Sequence, residues 1–325
     1  MTNDQLRFTI YDLRLNLSQD CYIMKFLIIL IFFPVFASYS QDLHVISGTV
    51  NRFDSFPSRF VDARNVDVWL PNGYDPKKKY AVLYMHDGQM LFDSTATWNK
   101  QEWDVDEVAG RLIAEKRIKP CIVVAMWNNG VYRHSEYFPQ KIIENIPAGT
   151  RAEILSKQLR DKPQADNYLK FIVNELKPFI DSAFSTRTGP KNTFIAGSSM
   201  GGLISLYALC EYPEIFGGAA CLSIHSPVVA PELVHGVKDA DVAAKFRDYL
   251  RAHLPKANTR KIYMDYGSLT LDSLYKPVQV QIDQIMKSKG FTSKYWVTRE
   301  FPGENHSERA WRKRLEIPVL FLLSD

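Results

Sequence analysis

Apolar residues recur along this chain in two rhythms, and their alternation dictates the architecture. Residues 61–70 read as an extended segment, alternating as Val66, Val68 and Leu70. Residues 80–85, 119–126, 192–196 and 218–224 are instead nearly unbroken apolar runs of strand length, the pattern of strands covered on both faces. Residues 45–50, 261–266 and 294–299 add further extended segments. Between the runs the period lengthens to that of a helix. Val105, Val108, Leu112 and Ile113 share one face, and residues 168–184, 203–210, 241–253, 274–287 and 308–323 also read as helices. Strand and helix alternate from about residue 80 onward, which predicts an α/β fold: a mostly parallel sheet with helices on both faces. Two stretches interrupt the rhythm as cap-like insertions. Residues 127–163 are irregular and rich in aromatic and charged side chains, and 226–259 carry only a helical core. Long loops inside compact domains usually serve function, and the first follows a strand's C-terminal end, where ligand clefts of such sheets open.

The N-terminal stretch follows neither rhythm. Residues 1–23 are polar and unpatterned; Met24-Lys25 then leads into an apolar run over 26–36, followed by small residues at Ser38 and Ser40. A positive start, a short apolar core and a small-residue cleavage site describe a secretory signal peptide at about 24–40. The run falls short of the roughly 20 residues of a membrane span. The expectation is therefore an N-terminal extension and signal peptide over 1–40, then a single domain over 41–325, since no repeat or linker divides the rest. The destination is periplasmic or extracellular, with membrane contact only through the signal segment if it stays uncleaved.

Composition narrows the field further. The formal net charge is +4 and the longest basic run is Lys77-Lys78-Lys79, too sparse for a nucleic-acid-binding stripe. The cysteines are Cys21, Cys121, Cys210 and Cys221; the last three fall in apolar runs and read as free buried thiols. No metal-ligand spacing such as Cys-x-x-Cys or His-Glu-x-x-His occurs, so no metal is expected.

The chemistry concentrates at Gly197-Ser198-Ser199-Met200-Gly201, between a predicted strand and a predicted helix. In that context Gly-x-Ser-x-Gly is a tight turn that exposes its central serine, and the glycines let strand and helix pass closely. Centring the motif on Ser198 would put Ala196 and Met200 where glycines belong, so Ser199 is the candidate nucleophile. The competing reading is a glycine-rich turn that binds a phosphate at a helix N-terminus. A serine nucleophile needs a base, and the base an orienting acid, in the chain order Ser, acid, His. His306 lies in the loop after the last strand and is the candidate base, ahead of His225. The acid comes from the loop after the preceding strand, with Asp272 favoured over Asp265, which still lies within the strand pattern. The loop after the 80–85 strand, His86-Asp87-Gly88-Gln89, supplies one candidate oxyanion-hole amide at Gln89, and Met200 supplies the other. Trp127, Tyr132, Arg133 and His225 are candidate substrate-side residues. Trp98 and Trp103 could stack on a ring or belong to the core.

Four segments in order, His86-Asp-Gly-Gln89, Gly197-Ser-Ser-Met-Gly-Gly202, Asp265-Tyr-Gly-Ser-Leu-Thr-Leu-Asp272 and Gly303-x-x-His306-x-Glu308-x-x-Trp311, resemble the putative-esterase group of α/β-hydrolases. That group includes esterase D, feruloyl, acetyl-xylan and enterochelin esterases and the mycolyltransferases, and the likeness spans roughly residues 60–325. The resemblance implies an α/β-hydrolase fold, Ser199 as nucleophile, His306 as base and an acid within 265–272. Family members place the acid a few residues after Gly-Thr; here the pair is Gly267-Ser268. Tyr132-Arg-His-Ser-Glu-Tyr-Phe-Pro139 also resembles the family's substrate-side loop. The expected activity is a serine ester hydrolase working through an acyl-enzyme on carbohydrate-linked acetyl or feruloyl esters or siderophore esters, with no cofactor. Its rivals are an acyltransferase with the same triad and a non-catalytic binding protein of the same fold.

Overall fold

The computed structural model describes residues 43–229 and 239–324. The predicted N-terminal extension and signal segment lie outside the described residues. Eight strands form one sheet: β1 Thr49–Phe56, β2 Arg64–Leu70, β3 Ala81–His86, β4 Cys121–Met126, β5 Thr193–Ser198, β6 Gly218–Leu222, β7 Lys261–Gly267 and β8 Trp296–Phe301. Their spatial order is β1-β2-β4-β3-β5-β6-β7-β8. Antiparallel pairing joins β1 to β2 and β2 to β4, and the remaining neighbours run parallel.

The apolar runs are unbroken because the sheet is covered twice. In β3, Val82 and Tyr84 face one core layer while Ala81, Leu83 and Met85 face the other. β4 divides the same way, Ile122, Val124 and Met126 against Cys121, Val123 and Ala125. Each successive side chain points to the opposite face, so every position must be apolar.

Helices cover the two layers: α1 Val105–Ala114, α2 Arg133–Tyr137, α3 Ala165–Phe171 (continued through a π-helical turn, Ile172–Leu176, into Lys177–Ala183), α4 Met200–Glu211, α5 Asp239–His253, α6 Lys276–Ser288, α7 Glu308–Arg312 and α8 Glu316–Leu323. Every residue of α4 from Met200 to Cys210 is buried, so this helix is apolar all round and sits inside the molecule. Cys121, Cys210 and Cys221 are buried free thiols.

Three expected elements fall elsewhere. The first strand begins at Thr49 because residues just before it are tied to α1: the Ile46 and Ser47 amides both donate to the Asp106 carboxylate. The single helix expected over 308–323 is two. Pro318 has no N–H for the Arg314 carbonyl, and the chain between α7 and α8 runs through tighter bonds, Leu315 to Arg312 and Ile317 to Arg314. The insertion over 127–163 is less irregular than its sequence. It folds as short helical turns that put Tyr137, Phe138, Ile142, Ile143 and Ile154 into the core.

That insertion is anchored by charge as well. Arg64 on β2 makes a two-pronged pair with Glu136 on α2, both bonds 2.7 Å and both side chains buried, with the guanidinium over the Tyr168 and Phe171 rings. Removing one partner leaves an uncompensated buried charge, which typically costs about 3–5 kcal/mol. Glu136→Ala is therefore expected to lower the urea-unfolding free energy by about that amount; a change under about 1 kcal/mol would show that the pair does not anchor the insertion.

Candidate active site

Strand β5 ends at Ser198 and α4 starts at Met200, so one residue must reverse the chain between them. That residue is Ser199, with φ 54° and ψ −123°, a conformation an L-residue adopts only under constraint. The constraint is a close crossing. A Cβ on Gly197 would come within 2.7 Å of the Gly201 backbone, so only glycine lets strand and helix approach this far. The turn is pinned on both sides: the Ser199 amide donates to the Leu222 carbonyl at 2.9 Å, and its own carbonyl accepts from His225 N at 3.1 Å. The Ser199 side chain faces a cavity of about 470 Å³.

His306 lines the same cavity. Its loop follows β8, and its amide donates to Thr270 Oγ1 at 2.9 Å. The ring meets the edge of Trp311 at 5.0 Å between centroids and that of Tyr275 at 5.9 Å. Nδ1 lies 2.5 Å from Asp272 Oδ1. The other Asp272 oxygen accepts from the Ser223 hydroxyl and the Gly267 amide, each at 2.5 Å. Burial alone would raise this carboxyl, but the bonds from His306, Ser223 and Gly267 outweigh it and hold it below its usual range. The described contacts include no hydrogen bond from Ser199 to His306; the two groups share the cavity, and such contacts often tighten only when substrate is bound.

Asp265, the other sequence candidate for the acid, does not reach the imidazole. It is buried against Arg314, which donates through Nε at 3.1 Å and Nη2 at 2.9 Å, and it also accepts from Ser223 N and the Tyr263 hydroxyl. Burial pushes this carboxyl up, against the lowering effect of Arg314. His225, the alternative base, has both ring nitrogens occupied: Nε2 on the Val229 carbonyl and Nδ1 on the Tyr275 hydroxyl, each at 2.8 Å. A carbonyl only accepts, so Nε2 carries the proton and Nδ1 accepts from Tyr275. His225 lines a separate, mostly apolar cavity of about 320 Å³.

The two amides expected to face an oxyanion sit at helical starts, where backbone N–H groups lack partners within the helix. Gln89 is the middle residue of a 3-10 turn, Gly88–Met90, and lines the cavity; Met200 is the first residue of α4.

Of the four substrate-side candidates, only Arg133 lines this cavity. It is fixed by Asp87 through Nε at 2.7 Å and Nη2 at 2.8 Å, and Asn128 adds a bond of 2.7 Å to the same carboxylate. Trp127 and Tyr132 lie outside the cavity lining. Trp127 donates to buried Asp67 at 2.8 Å beneath the Arg52 guanidinium, and Tyr132 faces Lys162. His225 lines the separate cavity instead. Trp98 and Trp103 both line the cavity; Trp98 is 83% exposed, whereas Trp103 is buried against Trp311. Asn99, Gln101, Asn128 and Glu308 complete a polar wall. Their single-residue polar signal in a loop had no pattern to set it apart from ordinary surface.

The Putative esterase family model matches residues 58–320. The chain belongs to the Putative esterase family. Among curated proteins it is 24% identical over 196 residues to the uncharacterized protein YjcH of Bacillus subtilis, covering 60% of this chain and 68% of that one. It is also 26% identical over 199 residues to the endo-1,4-beta-xylanase/feruloyl esterase of Xylanibacter ruminicola, a match over 58% of this chain and only 23% of that protein. Among solved structures, a ferulic acid esterase from Anaeromyces mucronatus in complex with ferulic acid aligns with TM-score 0.57 and 18% identity, covering 87% of this chain and 93% of that one. The enterobactin esterase of Shigella flexneri aligns with TM-score 0.60 and 17% identity over 89% of this chain and 62% of that one. At these identities the structural neighbours establish the fold, which is that of the α/β-hydrolases.

This esterase-family chain also buries a histidine at the end of β3. His86 Nδ1 bonds the Tyr168 hydroxyl at 2.8 Å, and Nε2 is buried with no partner among the described residues. Burial holds the ring neutral, with its pKa lowered to about 3. The unfolded chain takes up this proton below about pH 6.5, and the folded protein only near 3. This contribution to stability is thus complete above about pH 6.5 and is lost as pH falls toward 3. Urea unfolding is expected to show a loss on the order of 2 kcal/mol between pH 7 and pH 5 from this group. An NMR titration in which the folded His86 ring protonates near pH 6.5 would contradict it.

Proposed function

We propose that this protein is a serine carboxylic-ester hydrolase, with residues 41–325 as its catalytic unit after export directed by residues 24–40. The observation that carries the reading is a constrained serine, Ser199, opening onto the same cavity as an imidazole whose far nitrogen is bonded to a buried carboxylate.

The Ser199 hydroxyl attacks the ester carbonyl while His306 Nε2 takes its proton, and Asp272 stabilises the imidazolium that forms. The tetrahedral oxyanion lies against the Met200 and Gln89 amides; removing one such donor typically costs about 10²–10³ in turnover. His306 then protonates the departing alcohol. Water attacks the acyl-enzyme by the same route and releases the acid. Among the described residues, no helix is long and apolar enough to cross a membrane.

The cavity favours a neutral carbohydrate as the alcohol half of the ester. Its arginine is already neutralised by Asp87, and Glu308 accepts from Asn99 at 2.9 Å. Besides the Glu308 carboxylate, amides and hydroxyls suited to sugar hydroxyls remain, beside the exposed face of Trp98. An anionic catecholate siderophore would find no unneutralised guanidinium among the described residues of this lining.

Ser199→Ala and His306→Ala are each expected to lower kcat at least about 10⁴-fold on an acetylated or feruloylated oligosaccharide. Near-normal turnover in either variant removes the mechanism. Trp98→Ala is expected to raise KM for the same substrate roughly 3- to 10-fold at nearly constant kcat. An unchanged KM removes Trp98 from the substrate site.

A further inference from the structure

We propose that Ser223 is a positioning residue that keeps the Asp272 carboxylate ionised and aimed at His306, and that Arg314 and Asp265 hold Ser223 to that task. The inference rests on the catalytic roles proposed above and extends them to the layer behind the acid.

A serine hydroxyl has one proton to give and two lone pairs to offer. Both lone pairs of Ser223 Oγ are taken. Trp311 Nε1 donates to it at 2.9 Å and Arg314 Nη2 at 2.8 Å, and neither group can accept in return. Among the described residues the proton has one acceptor within reach, Asp272 Oδ2 at 2.5 Å. Its direction follows from the bond count alone.

The consequence passes to the carboxylate. Asp272 Oδ2 already receives the Ser223 hydroxyl and the Gly267 amide, so it acts as an acceptor and carries no proton of its own. The remaining oxygen, Oδ1, faces His306 Nδ1. A carboxylate there needs a proton on Nδ1, which leaves the Nε2 lone pair as the base. Arg314 would otherwise be a buried cation close to the acid. Asp265 takes it in a two-pronged pair, so Arg314 serves Ser223 without competing with His306 for Asp272.

The backbone supplies an independent sign that the hydroxyl matters. Ser223 has φ 40°, in the region that favours glycine, yet a serine stands there.

Ser223→Gly tests this directly, because glycine relaxes the backbone while removing the hydroxyl. The expected result is a fall in kcat of roughly 10-fold with KM within about twofold. With it, the downfield NMR resonance of the His306 Nδ1 proton, identified by its loss in His306→Gln, should move. Ser223→Ala keeps a Cβ against the same neighbours and must show the same split. Wild-type turnover with an unmoved resonance overturns the proposal, as does a loss confined to KM. Should Ser199→Ala retain activity, the catalytic reading itself fails. If that variant is dead and Ser223→Gly is normal, only the role of Ser223 fails.

Discussion

The molecule is organised by one close crossing, that of β5 over the first turn of α4. Two backbones approach so tightly at Gly197 and Gly201 that no Cβ fits on Gly197, and the residue between them is forced to φ 54°. A strained residue of this kind costs of order 1–3 kcal/mol and persists only where its surroundings over-determine it. Here they do. β5 is hydrogen-bonded on both sides within a sheet buried on both faces, α4 is enclosed by apolar neighbours, and the Ser199 backbone is tied to Leu222 and His225. The strain lifts one hydroxyl out of the core and into a cavity.

Three segments that bear Gln89, Asp272 and His306 are brought toward that hydroxyl by strand ends. β3 ends in the Gly88–Met90 turn, β7 in the loop bearing Asp272, and β8 in the loop bearing His306. A parallel sheet gathers its strand C-terminal ends at one edge, so residues far apart in sequence meet without long excursions of the chain. The deeper layer has its own logic. Two buried carboxylates lie near one another, and each is fully committed: Asp272 to His306, Ser223 and Gly267, Asp265 to Arg314, Tyr263 and the Ser223 amide. Buried charges are tolerated only when they are paired and bonded in this way.

The parts of this that were legible in the sequence are those set by local pattern. Strands buried on both faces must be apolar at every position, which made β3, β4, β5 and β6 plain, and the glycine spacing singled out Ser199 over Ser198. The sequence also favoured Asp272 over Asp265, by the glycine that ends β7. The structure adds a partner no local pattern reveals: Arg314, 49 positions away, pairs with Asp265, while Asp272 is bonded to His306. The same limit explains Trp127. It follows a strand end, where a cleft wall is expected, but its indole N–H donates to Asp67 on β2 and it lies outside the cavity lining. His225 looked available as a base until Tyr275 and Val229 filled both nitrogens. Conversely, Trp98 could have been core or surface by sequence, and it is the fold that leaves it exposed at the cavity rim.

The central claim is that the strained hydroxyl at position 199 is the atom that carries the acyl group. Mass spectrometry of protein quenched during turnover of a slowly deacylating aryl ester reads this directly. The account predicts a single added acyl mass, located on the peptide containing Ser199 and absent when the substrate is exhausted. An adduct on another residue, or steady turnover with no acyl-protein at any time, contradicts it.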